Sequence, residues 1–226
     1  MGDSSFDHFP ANGSCVRLRN RQLDRLNALL TVAQKRPFYA DRLCGLKLPL
    51  TLLEQIRQIP LLTKADLIPK VQSQPAGIFD LPISHYTRMH QTSGTRGWPI
   101  PVLDTQEDWK WWIRCWHYVL DAAQVTENDI AMMAFSFGPF IGFWTANDAM
   151  IDRGATCVPL GGMSSESRLK MIHEHRCTVL CCTPTYALHL VTTAKSLGLD
   201  LRKSSVSRII VAGEPGGSLP AVRNRI

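Results

Sequence analysis

Long apolar runs are missing from this 226-residue sequence. No stretch reaches the roughly 18 consecutive apolar residues that a membrane-spanning helix needs, so no membrane partner is expected. The first fifteen residues, with Asp3, Asp7, His8 and Pro10 among them, contain no apolar run that reads as a secretory signal, and a cytoplasmic location is the expectation. Cysteine pairing is missing as well. The seven cysteines are odd in number and form no Cys-x-x-Cys pair, which excludes a disulfide framework and a zinc ribbon and leaves reduced thiols. No zinc-finger spacing or interleaved Arg/aromatic stripe is present, so no nucleic-acid partner is expected. Nor is there a repeat or a low-complexity segment. Neither Gly94-Thr95-Arg96-Gly97 nor Gly213-Glu214-Pro215-Gly216-Gly217-Ser218 fits G-x-x-x-x-G-K-[ST], which excludes a P-loop kinase or GTPase.

What is present is ordinary for a folded chain. Apolar residues make up 45% and charged residues 19%, enough to exclude disorder and to build one large domain or two small ones. The net charge of +6 is a mild excess. It lies largely at the two ends, in Arg17, Arg19, Arg21 and Arg25 and then Arg202, Lys203, Arg208, Arg223 and Arg225. It favours anionic ligands such as nucleotides, although solvated surface charge is the ordinary reading of such residues.

Residues 1–82 read as a helical N-terminal segment. Leu23, Leu26, Leu30 and Ala33 recur at spacings of three and four, an apolar stripe on a helix that stops near Pro37. Thr63 and Asp66 form a candidate capping box, and Pro60, Pro69, Pro75 and Pro82 divide the rest into short pieces. Residues 83–226 read as an α/β unit. Strands are expected at Tyr86–Gln91, Ile100–Leu103, Asp129–Phe135, Ala155–Pro159, Cys177–Cys182 and Arg208–Ala212. Helices are expected after Thr105, with Asp108 as its capping partner, and near 140–152, 164–175 and 184–196, the last with Thr183 as N-cap, Pro184 in the first turn and Gly198 beyond the end. Such alternation implies parallel crossovers and a mostly parallel sheet flanked by helices.

Within this unit the Cys177-Thr-Val-Leu-Cys181-Cys182 run reads as a buried strand whose thiols act as small hydrophobes. His173 and His175 stand at i and i+2 of a helix and point to different sides, which serves a shared metal ion poorly. Trp109, Trp112 and Trp116 form a stripe that reads as core or interface.

The loop Gln91-Thr92-Ser93-Gly94-Thr95-Arg96-Gly97-Trp98-Pro99 is the most informative stretch. Glycines let the backbone approach an anion, hydroxyls donate to phosphate oxygens, and Arg96 adds a planar cation. On composition a plain turn between two strands is an equal reading, since Ser, Gly and Thr are turn residues. The stretch Phe135-Ser136-Phe137-Gly138-Pro139-Phe140-Ile141-Gly142-Phe143-Trp144 can build an apolar slot for a ring, or, for Phe135 and Phe143 equally, the start of a core helix. His90 is a candidate for substrate or phosphate contact and equally a structural histidine.

Thr92-Ser93-Gly94-Thr95-Arg96-Gly97-Trp98-Pro99 resembles the phosphate loop of adenylate-forming enzymes, [ST]-S-G-[ST]-T-G-[KR]-P, and Arg88-Met89-His90 before it resembles the phenylacetate–CoA ligase branch. Pro37-Phe38-Tyr39 with Arg42-Leu43, residues 59–67, residues 154–159, Thr183-Pro184-Thr185-Tyr186-Ala187-Leu188 and Val211-Ala212-Gly213-Glu214-Pro215 follow that branch's order, so the likeness covers about residues 32 to 226. The resemblance implies that Ser93, Gly94, Thr95 and Gly97, with Arg96, hold the β- and γ-phosphates of ATP. It implies that Gly213, Glu214 and Pro215 lie along the adenine, and that Phe137, Phe140 and Gly142 line an acyl pocket. It implies a two-step reaction with ATP, Mg²⁺ and coenzyme A: a carboxylic acid, aryl or arylacetic, becomes an acyl adenylate and then a thioester. No nucleophilic side chain and no metal ligand is implied within these 226 residues; the residues expected to bind Mg²⁺ are among those missing from them. Arg96 stands where the family has a second Thr, and Trp98 where it has Lys or Arg, so the cation is displaced by two positions. The family's aromatic-Gly-x-Thr-Glu motif, ribose-binding Asp, hinge and lid Lys fall beyond Ile226. The expectation is therefore a truncated form, weakly active or inactive alone, that associates through an exposed sheet edge as a homodimer or with a missing C-terminal half. The alternative is a non-catalytic nucleotide- or acyl-binding module or a fold remnant.

Overall fold

The structure, a computed structural model, describes residues 12–68, 76–94 and 99–226. It divides into two compact units, Met1–Pro82 with Gly94–Val102, and Ile83–Ser93 with Leu103–Ile226.

The first unit is helical. Helix α1 (Asn12–Ala33) carries the expected stripe: Leu30 is buried, and Leu23, Leu26 and Ala33 pack with it around Leu43 and Leu50. Pro37 does more than stop α1. Its fixed φ suits a first helical turn, and it opens α2 (Pro37–Leu43) after a three-residue turn. Leu50 is fastened from both sides, its N–H donating to Asn27 Oδ1 and its carbonyl accepting from Asn27 Nδ2, each at 2.8 Å. Thr63 and Asp66 do form a reciprocal cap, with the Thr63 N–H 2.7 Å from Asp66 Oδ2, but on a 3₁₀ turn over Lys64–Leu67 rather than an α-helix. Arg42 reaches the same carboxylate at 2.9 Å.

The second unit is built on a four-stranded parallel sheet in the order β4-β3-β5-β6, with β3 Ile130–Met133, β4 Thr156–Pro159, β5 Val179–Cys182 and β6 Arg208–Val211. Strands β1 (Tyr86–Gln91) and β2 (Pro101–Thr105) pair in a separate two-stranded sheet. Side-chain alternation sorts the large sheet's residues onto two faces. Ala131, Met133, Val179, Cys181 and Ile210 share one core with Leu120 of α3 (Gln106–Ala122) and Ala146 and Met150 of α4 (Trp144–Asp152). Met132, Leu180 and Cys182 share the other with Leu169 and Ile172 of α5 (Ser165–Glu174) and Ala187, Leu190 and Ala194 of α6 (Pro184–Ser196). The buried strand expected over Cys177–Cys182 forms at Val179–Cys182, with Cys177 buried just ahead of it, and burial pushes the Cys182 thiol up to about 12.

Thr105 is both the last residue of β2 and the N-cap of α3, its N–H bonded to Asp108 Oδ2 at 2.9 Å and its hydroxyl accepting from the Asp108 N–H at 3.2 Å. The strand expected at Ile100–Leu103 therefore runs two residues further. Helix α4 starts at Trp144, not near residue 140, because Pro139 and Gly142, at φ +38°, hold the chain out of helical geometry until Phe143. At the amino ends of three strands Asp129, 4% exposed, accepts from the Thr126 N–H (2.8 Å), the Thr178 hydroxyl (2.7 Å) and Arg208 Nη1 (2.7 Å). Burial alone would raise its pKa, but these donors outweigh it and hold the carboxyl below its usual range.

Candidate functional site

Parallel strands send all their carboxyl ends to one edge of the sheet, and the loops that follow form the usual place for a ligand. Here those loops are residues 134–143 after β3, 160–164 after β4, Thr183 before α6, and 212–219 after β6. They include six of the site residues singled out in the sequence: Phe137, Phe140, Gly142, Gly213, Glu214 and Pro215.

The aromatic loop packs upon itself. The Phe135 and Phe137 rings lie 4.3 Å apart, Phe137 meets Trp144 edge-on at 4.6 Å, and Trp144 Nε1 donates to the Gly138 carbonyl at 3.0 Å. This fixes Phe137 as one wall of a groove of about 690 Å³. Trp144, Asn147 and Ile151 of α4, Cys157 and Pro159 of β4, and Gly161 supply much of the rest. Gly161 is there for space: a Cβ would stand 3.1 Å from the Phe137 ring. Phe140 is exposed and Gly142 turns the chain, so neither is brought to the wall of this groove. The sequence reading missed Asn147, Ile151 and Cys157: their helix and edge strand were expected, but nothing in either marks these three residues as part of a wall. The Gly161-Gly162 pair after a strand was the one signal that offered itself. Burial, with the Asp148 charge, pushes the Cys157 thiol up to about 11, which leaves it protonated and a packing group rather than a nucleophile.

At the other side of the sheet edge, two strands and so about 10 Å across from β3, Glu214 is already engaged. Its Oε1 accepts from the Thr185 N–H at 2.8 Å and from the Thr185 hydroxyl, which caps the start of α6. These two bonds, the hydroxyl first, lower its pKa. An anion at a helix N-terminus is well placed against the helix dipole. Gly213, at φ +95°, lets the chain turn over Thr183, and Gly213, Glu214 and Pro215 are all exposed.

The glycine loop leaves β1. Ser93 is exposed and Gly94 takes φ +69°, the left-handed geometry that favours glycine. Thr95, Arg96 and Gly97, and with them Trp98, lie outside the described residues. The last strand residue before the loop, Gln91, donates its N–H to the Pro139 carbonyl at 2.8 Å and so ties the loop's start to the aromatic loop. His90 is buried, with its ring stacked on Trp109 at 5.5 Å and 10°. Trp109 Nε1 donates to Asp148 Oδ2 at 2.9 Å, which also receives Arg88 at 3.1 Å. The tryptophan stripe is core only in part: Trp109 is buried, Trp116 is half-buried with its Nε1 donating to Thr145 Oγ1 at 2.8 Å, and Trp112 is exposed. No helix among the described residues is long and apolar enough to cross a membrane.

No family model matches the chain. It is 30% identical over 202 residues to a phenylacetate-coenzyme A ligase of Pseudomonas putida, covering 88% of this chain and 45% of that protein. To the phenylacetate-coenzyme A ligase of Escherichia coli (strain K12) it is 30% identical over 164 residues, 72% of this chain and 37% of that one. The chain thus spans less than half the length of the curated relatives it matches. Among solved structures, 2-hydroxyisobutyryl-CoA ligase in complex with 2-HIB-AMP and CoA superposes with a TM-score of 0.87 at 24% identity, over 96% of this chain and 47% of that one. The chain therefore shares its fold with the matched half of that ligase.

Proposed function

We propose, from a chain that is a relative of the N-terminal portion of the phenylacetate–CoA ligases, that it supplies the ATP- and acid-binding part of an acid–CoA ligase. A carboxylate attacks the α-phosphorus of ATP, pyrophosphate leaves with the electron pair of the broken P–O bond, and the acyl adenylate passes its acyl group to the thiol of coenzyme A with release of AMP. The acid is aryl or arylacetic, in keeping with the aromatic wall that Phe137 gives the groove. Catalysis is by positioning and charge stabilisation, so no side-chain nucleophile is assigned.

Ser93 and Gly94 present a hydroxyl and an approachable backbone to the β- and γ-phosphates, with Thr95, Arg96 and Gly97 completing the loop. Gly213 and Pro215 lie along the adenine. Glu214 orients that segment, since its carboxylate is committed to Thr185. Phe137 is the acid's principal contact, and Phe140 and Gly142 shape the loop that carries it. Mg²⁺ enters with ATP and neutralises phosphate charge. We assign it no protein ligand, and no group of three or more His, Cys, Asp or Glu among the described residues is arranged to hold a metal ion.

The observation that carries this reading is the bond from the Gln91 N–H to the Pro139 carbonyl, by which a phosphate-binding loop and an acid-binding loop start from one point. Calorimetric titration with Mg-ATP and then phenylacetate tests it. ATP is expected to bind, and phenylacetate to bind the ATP-loaded chain with an affinity that Phe137→Ala lowers about tenfold or more, the loss of a buried ring contact. Absence of affinity for both ligands would overturn the assignment.

A further inference from the structure

His90 is the one residue among those described with a buried side-chain nitrogen, Nδ1, that has no hydrogen-bond partner. It sits next to the last residue of β1, three positions before Ser93. Its ring is 7% exposed and lies flat on Trp109, so it cannot turn to water without breaking the stack. A carboxylate oxygen, Asp104 Oδ2 on β2, lies 3.8 Å from it. That is roughly 1 Å beyond a hydrogen bond, close enough for a small shift of one strand to close it.

We propose that His90 and Asp104 form a proton-linked latch that positions the start of the glycine loop. In this latch neutral His90 keeps its single proton on Nε2, so the Nδ1 lone pair faces a carboxylate oxygen and the two groups stay apart. With the imidazole protonated, Nδ1–H donates to Asp104, and a charge-assisted bond draws the end of β1 towards β2. Because Gln91 is bonded to Pro139, the same movement is felt by the loop that carries Phe137. Among the described residues the charges around the ring are these. Asp104 faces it from β2, and Asp108 on α3 acts on Asp104. Arg88 on β1 lies over Trp109 at 4.9 Å and is held by Asp148 of α4. Burial raises the Asp104 pKa and the charge of His90 opposes that rise, so the carboxylate gains most when the imidazolium moves close. His90 is thus a positioning residue. The consequence for nucleotide rests on the reading of the loop as a phosphate site; the latch itself does not.

Amide hydrogen exchange of the ligand-free chain, read by NMR alongside the His90 imidazole signals, tests the latch without any nucleotide. Between pH 8 and pH 5.5 the protection factors of the Ser93 and Gly94 amides are expected to rise about tenfold, the size of one charge-assisted bond, in step with His90 protonation. Asp104→Asn and His90→Gln should each abolish the rise. Protection that stays flat while His90 titrates, or a rise that survives in either variant, overturns the latch. Added Mg-ATP then reads separately: no binding by the wild-type chain sinks the nucleotide assignment, and leaves the ligand-free result to decide the latch.

Discussion

In the helical unit three leucines, Leu30, Leu43 and Leu50, make up the buried cluster, and polar ties such as Asn27 to Leu50 and Arg42 to Asp66 hold its turns together. In the parallel-sheet unit each face of the strands has its own core, with Met132, Met133 and Cys181 wholly enclosed. The difference separates two ways of spending sequence. The sheet unit has enough apolar surface to be rigid on both faces, and it carries the groove, the Glu214 turn and the strand that leads into the glycine loop. The helical unit has the smaller buried cluster, and the groove's described lining residues all belong to the sheet unit.

Truncating the two cores probes that contrast most strongly. Leu120→Ala, at a wholly buried position, is expected to cost the sheet unit about 3–5 kcal/mol, and Leu30→Ala, in the smaller cluster, about 2–3 kcal/mol in the helical unit. Urea titrations followed by amide exchange in each unit measure both; equal losses would erase the contrast. Next comes the clamp below the sheet. Asp129→Asn leaves Arg208 without its carboxylate and is expected to cost about 3 kcal/mol at neutral pH. The sign with pH follows from the lowered carboxyl. Its contribution is complete above the unfolded-state value and is lost as pH falls through the folded one, so wild type and variant should converge below about pH 4. Stability curves that stay parallel down to pH 2 would contradict this. The smallest effect is in the helical unit, where Asn27→Ala removes two bonds to Leu50 and is expected to cost about 1–2 kcal/mol, read as faster exchange of the Leu50 amide.

Much of this architecture is legible in the sequence because the signals are local. Thr105 with Asp108, Thr183 before Pro184, and the apolar run at 177–182 each act within a few residues, and the structure follows them. The start of α4 was misjudged because a glycine at φ +38° outweighs the helical pattern that follows it. The groove was only half visible. Phe137 stands in a motif, whereas Asn147, Ile151 and Cys157 reach the same wall from α4 and β4, and that convergence is set by strand order and not by spacing. The engagement of Glu214 by Thr185 joins positions 29 apart and is equally invisible to a local reading.

The central claim is that the glycine loop holds the polyphosphate of ATP, and the affinities of Gly94→Ala for ATP and for AMP test it most directly. A side chain at φ +69° should distort the loop and weaken ATP about tenfold or more, while AMP, which lacks the β- and γ-phosphates, stays within about twofold. Unchanged ATP affinity, or an equal loss for both nucleotides, would contradict it.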